Sequence, residues 1–298
     1  MNTLLRAPDG RLRPTLRVAL FLSTFVLVAS MLGIVAVVLL DPDLLGRPGP
    51  EGERITGPIS PVVGLLSALA GALATWLFRR FVDHRPWVDL GLRAEPGWLA
   101  ELGLGMGLGI ALMGGIAALE IGLGGYRVDG VGSVGVALEG LLVGLLVFAA
   151  VAFGEELVIR GYVLQTLAEG WGVRAATVAS ALIFALLHAG NPGSGPVAIL
   201  GIFCAGLMLA AAYLVTGRLW CPIGLHWTWN YFQGSVFGFA VSGTEANGLL
   251  RLSAVGPEWL TGGGFGPEAS VLGVAASIVG TAALLAWQSN TRSPLAEG

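Results

Sequence analysis

Two adjacent carboxylates and an arginine are the first candidates for chemistry, because they lie in an apolar stretch. They belong to the segment Phe153–Gly161, at the end of a long apolar run that holds one other charge, Glu139. Ionisable side chains at membrane depth are costly, and they usually face a bundle interior or a water-filled cavity. In a helix, Glu156 and Arg160 share one face, whereas Glu155 is rotated by about 100° from Glu156. We predict that Arg160 holds Glu156 and leaves Glu155 free for chemistry, although a purely structural ion pair explains the pattern equally well.

Two histidines extend this set onto other apolar segments. His188 ends the stretch Phe184–His188, and His226 begins the stretch His226–Asn230. A spacing of four residues places both ends of each stretch on one helix face. A carboxylate beside an imidazole can take a proton from water, and a second imidazole with an amide can stabilise an oxyanion. A lone histidine on an apolar helix is more often a core residue, so the prediction depends on the three segments converging in a bundle.

The composition is typical of a polytopic membrane protein. Of the 298 residues, 55% are hydrophobic and only 12% are charged, with a mean hydropathy of +0.79. The net charge of −3 is too small to indicate a nucleic-acid partner. All sixteen basic residues are arginine, which excludes a lysine nucleophile. Cys204 and Cys221 form no CxxC pair and are predicted to be free thiols.

The apolar runs predict an all-α fold, a polytopic membrane bundle of about eight transmembrane helices, since one span needs about 20 residues. The predicted spans are Leu16–Leu40, Ile59–Phe81, Trp98–Leu123, Val134–Ile159, Val173–His188, Val197–Val215, Leu219–Val241 and Ser270–Trp287. We divide the chain into N-terminal helices at residues 1–139, a core with the polar stretches at 140–241, and an outer loop with the last helix at 242–298. All three parts are expected to form one integrated membrane domain.

Most arginines fall on one side of the predicted membrane. That side carries Arg6, Arg11, Arg13, Arg17, Arg79, Arg80, Arg85, Arg93, Arg174, Arg218 and Arg292, and the other carries Arg47, Arg54, Arg127 and Arg251. The positive-inside rule then predicts a multi-pass protein of the cell membrane with both termini in the cytoplasm. The loops at 41–58 and 242–268 are predicted to be exposed on the outer side. Because Glu155 lies near the cytoplasmic end of its predicted span, we expect its cavity to open toward the cytoplasm.

Glycines at short intervals mark two of the predicted spans. They are Gly103, Gly105, Gly107 and Gly109 in the third span, and Gly140 and Gly144 in the fourth. Small residues four apart allow helices to approach closely, so we interpret them as packing positions and not as a ligand site.

The three polar stretches together resemble the CPBP family, the CAAX-type and bacteriocin-processing intramembrane proteases that are also called the Abi family. The family pattern is Glu-Glu-x-x-x-Arg, then Phe-x-x-x-His, then His-x-x-x-Asn. In this chain it is complete and in order, as Glu155-Glu156-Leu-Val-Ile-Arg160, Phe184-Ala-Leu-Leu-His188 and His226-Trp-Thr-Trp-Asn230. The resemblance covers roughly residues 140–241.

The resemblance implies hydrolysis of a peptide bond within the membrane. By the family pattern, Glu155 with His188 would activate the attacking water, His226 and Asn230 would form the oxyanion hole, and Glu156 with Arg160 would be the supporting pair. The implied partners are the lipid bilayer and a peptide or protein substrate at the membrane. Eukaryotic CAAX members trim prenylated C-termini, so a lipidated substrate is one possibility, and other members are linked to bacteriocin maturation or self-immunity.

Two other classes of function remain open. One is a proton-coupled transporter, since membrane relays also use Glu and His, although the chain shows no internal repeat. The other is a non-catalytic membrane partner or immunity protein in which the polar cluster only stabilises the bundle. A protease requires the polar groups around one wet cavity, a relay requires them spread across the bilayer, and a scaffold leaves them dry and paired.

Zinc is the one cofactor that the residues suggest. Glu155, His188 and His226 could supply three ligands and leave the fourth position of a catalytic site open. All three would come from different helices, and Asn230, one turn from His226, suits an oxyanion donor better than a ligand. We therefore favour glutamate-dependent hydrolysis without an obligatory metal, although the family is commonly described as metalloproteases.

Overall fold

The computed structural model describes residue 5, residues 10–40 and residues 59–291, which form an all-α polytopic bundle. The helices are α1 Pro14–Leu40, α2 Ile59–Leu77, α3 Trp98–Gly122, α4 Val134–Glu156, α5 Gln165–Trp171, α6 Val173–Leu187, α7 Pro196–Thr216, α8 Trp220–Tyr231, α9 Glu258–Thr261 and α10 Val271–Thr291. π-helical segments follow α2, α4 and α8, at Phe78–Val82, Leu157–Leu164 and Phe232–Val236. The predicted outer loop at 41–58 lies outside the described residues.

Six helices of the described residues are long and apolar enough to cross a membrane, so the predicted count of eight is not confirmed. The protein is nevertheless an integral multi-pass membrane protein. The two remaining predicted spans form shorter helices, because α6 has 15 residues and α8 has 12. A turn that begins at His188 ends α6, and polar side chains lower the hydropathy of α8.

The fourth predicted span is longer than its apolar run indicated. It does not end at Ile159 but continues through Leu157–Leu164 into α5, so that one helical rod of 38 residues runs from Val134 to Trp171. Every residue of Leu157–Leu164 is buried, which is why the chain can carry a charge there without leaving the helix. Glu155 therefore lies within the rod and not at its end. π-Helical turns inside α-helices often occur at functional sites.

The loops collect at two ends of the bundle. We name one end the strand face, which carries the segments 123–133, 188–195 and 237–270, and the other the arginine face, which carries 83–97, 172 and 217–219. The strand face is held by contacts such as the hydrogen bond from Asn191 Nδ2 to Ser242 O at 2.9 Å. The arginine face is held by ion pairs, among them Arg17 with Asp83 at 2.5 Å and Arg218 with Glu101.

A small antiparallel sheet on the strand face was not predicted from the sequence. Strand β1 (Tyr126–Val131) pairs with β2 (Leu250–Ala254), and the register shifts between Val128 and Gly130. The region 242–268 was predicted only as a polar loop, because two short strands far apart in the chain give no local signal. The sheet ties the loop after α8 to the loop after α3.

Helices α3 and α8 pack with their backbones in close contact, as the glycine pattern of the third span predicted. A Cβ atom on Gly105 would lie 2.0 Å from the carbonyl oxygen of Cys221, and one on Gly109 would lie 2.3 Å from Thr228 Oγ1. Gly103 and Gly107 face open space instead, so only alternate glycines serve this contact. The packing fixes α8, the helix that carries His226.

Candidate active site

A buried ion pair lies beneath the candidate site, and its two residues are one helical turn apart. Arg160 Nη1 donates to Glu156 Oε1 at 2.7 Å, and both side chains are fully buried. Arg160 Nη2 also donates to the carbonyl of Gly206 on α7 at 2.9 Å, and its guanidinium lies 4.6 Å from the centre of the Phe184 ring on α6. A buried charge of this kind needs a partner and hydrogen bonds, and Arg160 has both.

His226 connects this pair to the cavity. Its Nδ1 lies 2.9 Å from Glu156 Oε1, the same oxygen that accepts from Arg160. A carboxylate that already binds a guanidinium can only accept, so Nδ1 carries the hydrogen and the ring orientation is fixed. Its Nε2 therefore points the other way, to a distance of 3.8 Å from Glu155 Oε2. Glu156 thus acts on His226 as a carboxylate does on the histidine of a catalytic triad.

The two adjacent carboxylates have different surroundings. The side chain of Glu156 is fully buried, whereas that of Glu155 is 34% exposed and lines the main cavity. The rotation of about 100° between successive helical residues produces this difference, because it turns one side chain into the bundle and the other into the cavity. Glu155 is accordingly the carboxylate that a solvent molecule or substrate can reach.

His188 reaches the same cavity from the end of α6. Its Nδ1 donates to the carbonyl of Phe184 at 2.8 Å, which leaves Nε2 as an acceptor in the neutral ring. The Phe184 ring packs edge-on against His188 at 4.7 Å and against His226 at 6.1 Å, so it spaces the two imidazoles. The sequence suggested His188 as the imidazole beside Glu155, whereas the structure brings His226 there. The catalytic roles of the two histidines stay predictions.

Asn230 lies one turn beyond His226 on α8 and faces the same cavity. Its side chain is buried among the lining residues with only 7% of the residue exposed. The structure therefore brings Glu155, His188, His226 and Asn230 to one cavity, while Glu156 and Arg160 lie beneath it. All six residues predicted from the sequence belong to one constellation.

The main cavity has a volume of about 840 Å³ and lies in the half of the bundle toward the strand face. Its lining includes Gly64 near the start of α2, Glu139 near the start of α4, and the loop residues Ser242 and Asn247. A second cavity of about 370 Å³ between α1, α2, α4 and α6 shares Glu155 with it. The cavity was expected to open on the arginine side, toward the cytoplasm, whereas its lining extends toward the strand face and the rod below Glu155 is buried through Leu164.

The donor atoms do not form a three-ligand zinc site as they stand. Among the described residues, no group of three or more His, Cys, Asp or Glu side chains is arranged to hold a metal ion. The nitrogen of His226 that faces the cavity is 3.8 Å from Glu155 Oε2, wider than the separation of about 3.3 Å that two ligands on one tetrahedral zinc require. We therefore derive no step through a metal.

Comparison with known proteins agrees with this geometry. Residues 137–232 match the family model of Type II CAAX prenyl endopeptidase Rce1-like proteins. The match confirms the resemblance to the CPBP family, and it spans about a third of the chain, including all six site residues. A search of curated proteins found no match to the chain.

Several cavity residues lie beyond the Rce1-like segment and were not predicted. Glu268 accepts from the backbone N–H of Ser242 at 2.6 Å and from its hydroxyl at 2.9 Å, and it lines the same cavity as His188. Burial raises the pKa of Glu268, against the hydrogen bonds from Ser242. Phe184 stood in the family pattern but was given no role. No local spacing marks Glu268 or Ser242, because a loop brings them to the site.

Proposed function

We propose that this protein is an intramembrane endopeptidase that hydrolyses a peptide bond of a membrane-associated polypeptide. The observation that carries the proposal is the approach of Glu155 Oε2 to His226 Nε2, at 3.8 Å, on the wall of one cavity. That separation allows a water molecule to lie within about 2.8 Å of Glu155 Oε2, beside the Nε2 donor that faces the substrate carbonyl in this proposal. Such a water is positioned for activation and for attack on a bound carbonyl group.

Glu155 acts as the base in this proposal. Its carboxylate takes a proton from the water, and the resulting hydroxide attacks the carbonyl carbon of the peptide bond. His188 shares the water through Nε2, which its hydrogen bond to Phe184 leaves free to accept. When the C–N bond of the tetrahedral intermediate breaks, Glu155 returns its proton to the leaving nitrogen, and the products are an amine and a carboxylic acid.

His226 and Asn230 stabilise the oxyanion. A carboxylate at hydrogen-bond distance favours the protonated form of an imidazole, and Glu156 lies 2.9 Å from His226 Nδ1. The imidazolium then offers its Nε2–H to the cavity, where the amide of Asn230 supplies a second donor. Arg160 holds Glu156 in place, since its fully buried guanidinium donates to Glu156 Oε1 at 2.7 Å.

The arrangement supports a hydrolase over the other two classes. A proton relay would spread its groups from one face of the membrane to the other, whereas Glu155, His188 and His226 all border one cavity. A scaffold would leave them dry and paired, whereas Glu155 is 34% exposed. The match of residues 137–232 to a protease family points in the same direction.

The experiment is a comparison of membrane-protein termini in cells that express the wild type, Glu155→Gln or Glu95→Gln. Glu155→Gln removes the base and keeps the shape of the side chain, and Glu95 is an exposed residue of the arginine face. We expect new termini with the wild type and with Glu95→Gln, and none with Glu155→Gln at equal expression. Identical termini in all three would reject the proposed function.

A further inference from the structure

The main cavity and the bulk of the positive charge lie at opposite ends of the bundle. The lining comes from the strand-face halves of the helices and from strand-face loops, such as the first turns of α2 and the segment 241–247. The lining reaches the level of Glu155 and His226. On the arginine side of that level, Arg160 is fully buried and the segment Leu157–Leu164 closes the bundle.

The arginine face carries most of the arginines that flank the helices. Among the described residues, the ends of α1, α2, α5 and α7 that lead to this face carry or adjoin Arg11, Arg13, Arg17, Arg79, Arg80, Arg85, Arg93, Arg174 and Arg218. Of the described arginines, the strand face carries Arg127 and Arg251 in its sheet. An excess of arginine beside the ends of spanning helices marks the cytoplasmic side.

We infer that the catalytic cavity opens to the extracytoplasmic side of the membrane and receives polypeptide segments from that side. This inference rests on the proposed function for the reaction and on the arginine distribution for the direction. It assigns the substrate class: an exported peptide, or the outer juxtamembrane segment of a membrane protein. A prenylated C-terminus on the cytoplasmic face would meet the closed end of the bundle.

The second cavity offers a place beside the site for the apolar part of a membrane-associated substrate. It lies between α1, α2, α4 and α6 and shares Glu155, Phe184 and His188 with the main cavity. Its wall includes Val26 of α1, which is 46% exposed on the outer surface of the bundle. An apolar stretch of substrate could lie in this side cavity while its polar continuation extends through the main cavity toward the strand face.

Single-cysteine labelling in intact cells tests the direction. Cys204 and Cys221 are first replaced by alanine, and Asn247→Cys, which places a thiol on the cavity lining, is compared with Glu95→Cys on the arginine face. We expect a membrane-impermeant maleimide to label the Asn247→Cys variant in intact cells and the Glu95→Cys variant only after permeabilisation. The reverse result would overturn the inference. Ala254→Cys on β2 is a second strand-face position if the first variant does not accumulate.

The same labelling, repeated in the Glu155→Gln background, separates this inference from the proposed function. Labelling does not need catalysis. The side from which the cysteine is labelled and the cleavage activity are therefore measured independently. Glu155-dependent termini that map to extracytoplasmic segments support the inference. Glu155-dependent termini in cytoplasmic segments would leave the protease proposal standing and overturn the inference. Labelling as expected without any Glu155-dependent termini would reject the protease and leave the direction established.

Discussion

At the scale of single residues, the site depends on one buried oxygen that accepts two hydrogen bonds. Glu156 Oε1 receives Arg160 at 2.7 Å and His226 at 2.9 Å, so it sets both the charge and the ring orientation beneath the cavity. Glu155 has no comparable structural task, because its side chain is turned into the cavity. Substitutions of Glu155 and Glu156, although adjacent in sequence, are therefore expected to have different effects.

The first prediction separates these two carboxylates. Removing one partner of a buried ion pair leaves an uncompensated charge, so Glu156→Ala should lower the free energy of unfolding by about 3–5 kcal/mol and reduce the amount of folded protein in the membrane. Glu155→Gln should leave a folded protein without activity. Thermal unfolding in detergent and a cleavage assay measure the two effects. A Glu155→Gln variant with normal turnover would show that the base is another residue.

The second prediction concerns zinc. Because no group of three or more His, Cys, Asp or Glu side chains among the described residues is arranged to hold a metal ion, we expect the active purified protein to contain less than one zinc per chain and to keep its activity in a chelator. Elemental analysis alongside a chelator titration checks this. One equivalent of zinc that leaves with the activity and restores it on return would contradict the proposal and make His226 a ligand.

At the scale of elements, the position of His226 is set by how closely α8 approaches α3. Gly105 and Gly107 provide a matched pair, because a Cβ on Gly105 would overlap the Cys221 carbonyl at 2.0 Å whereas one on Gly107 meets nothing within 4 Å. Gly105→Ala should therefore push α8 away, cost about 1–3 kcal/mol or more, and reduce cleavage. Gly107→Ala should preserve both properties. Equal stability and activity of the two variants would show that the helices do not depend on this contact.

The strand-face loop that lines the cavity should respond to pH through Glu268. Burial raises the pKa of Glu268 above its usual 4.5, so the folded protein binds a proton there more readily than the unfolded chain does. Stability from this group is then present at low pH and is lost as pH rises from about 4.5 through the folded pKa. Thermal unfolding between about pH 4.5 and 8 should show a smaller decline for Glu268→Gln than for the wild type. Glu258→Gln, an exposed position on the same face, should follow the wild type.

At the scale of the whole molecule, the sequence predicted the site better than the number of spans. The pairing of Glu156 with Arg160 follows from a four-residue helical spacing, and apolar runs reveal the helices, so both are local features. The count of eight spans is not confirmed, because α6 and α8 form helices of only 15 and 12 residues. The lining of the cavity by strand-face residues was not predicted, because the rod continues past Ile159 and its burial there is a fact of tertiary packing. Glu268 and the β1–β2 pairing depend on distant contacts that no local pattern encodes.

The Rce1-like segment alone lacks several walls of its own site. Gly64 lies in α2, Glu268 follows β2, and α3 supports α8 through Gly105, all outside residues 137–232. We therefore expect a fragment of residues 133–298, expressed alone, to accumulate poorly and to show no cleavage, because α8 would lose its packing against α3. Co-expression with residues 1–132, which keep α1 to α3 and β1 together, should restore both. Membrane-fraction immunoblots and the assay of Glu155-dependent termini measure the outcome, with Glu155→Gln in the longer fragment as the control. A longer fragment that is active by itself would mean that the first three helices are not needed to position the site, and that the chain does not fold as one integrated membrane domain.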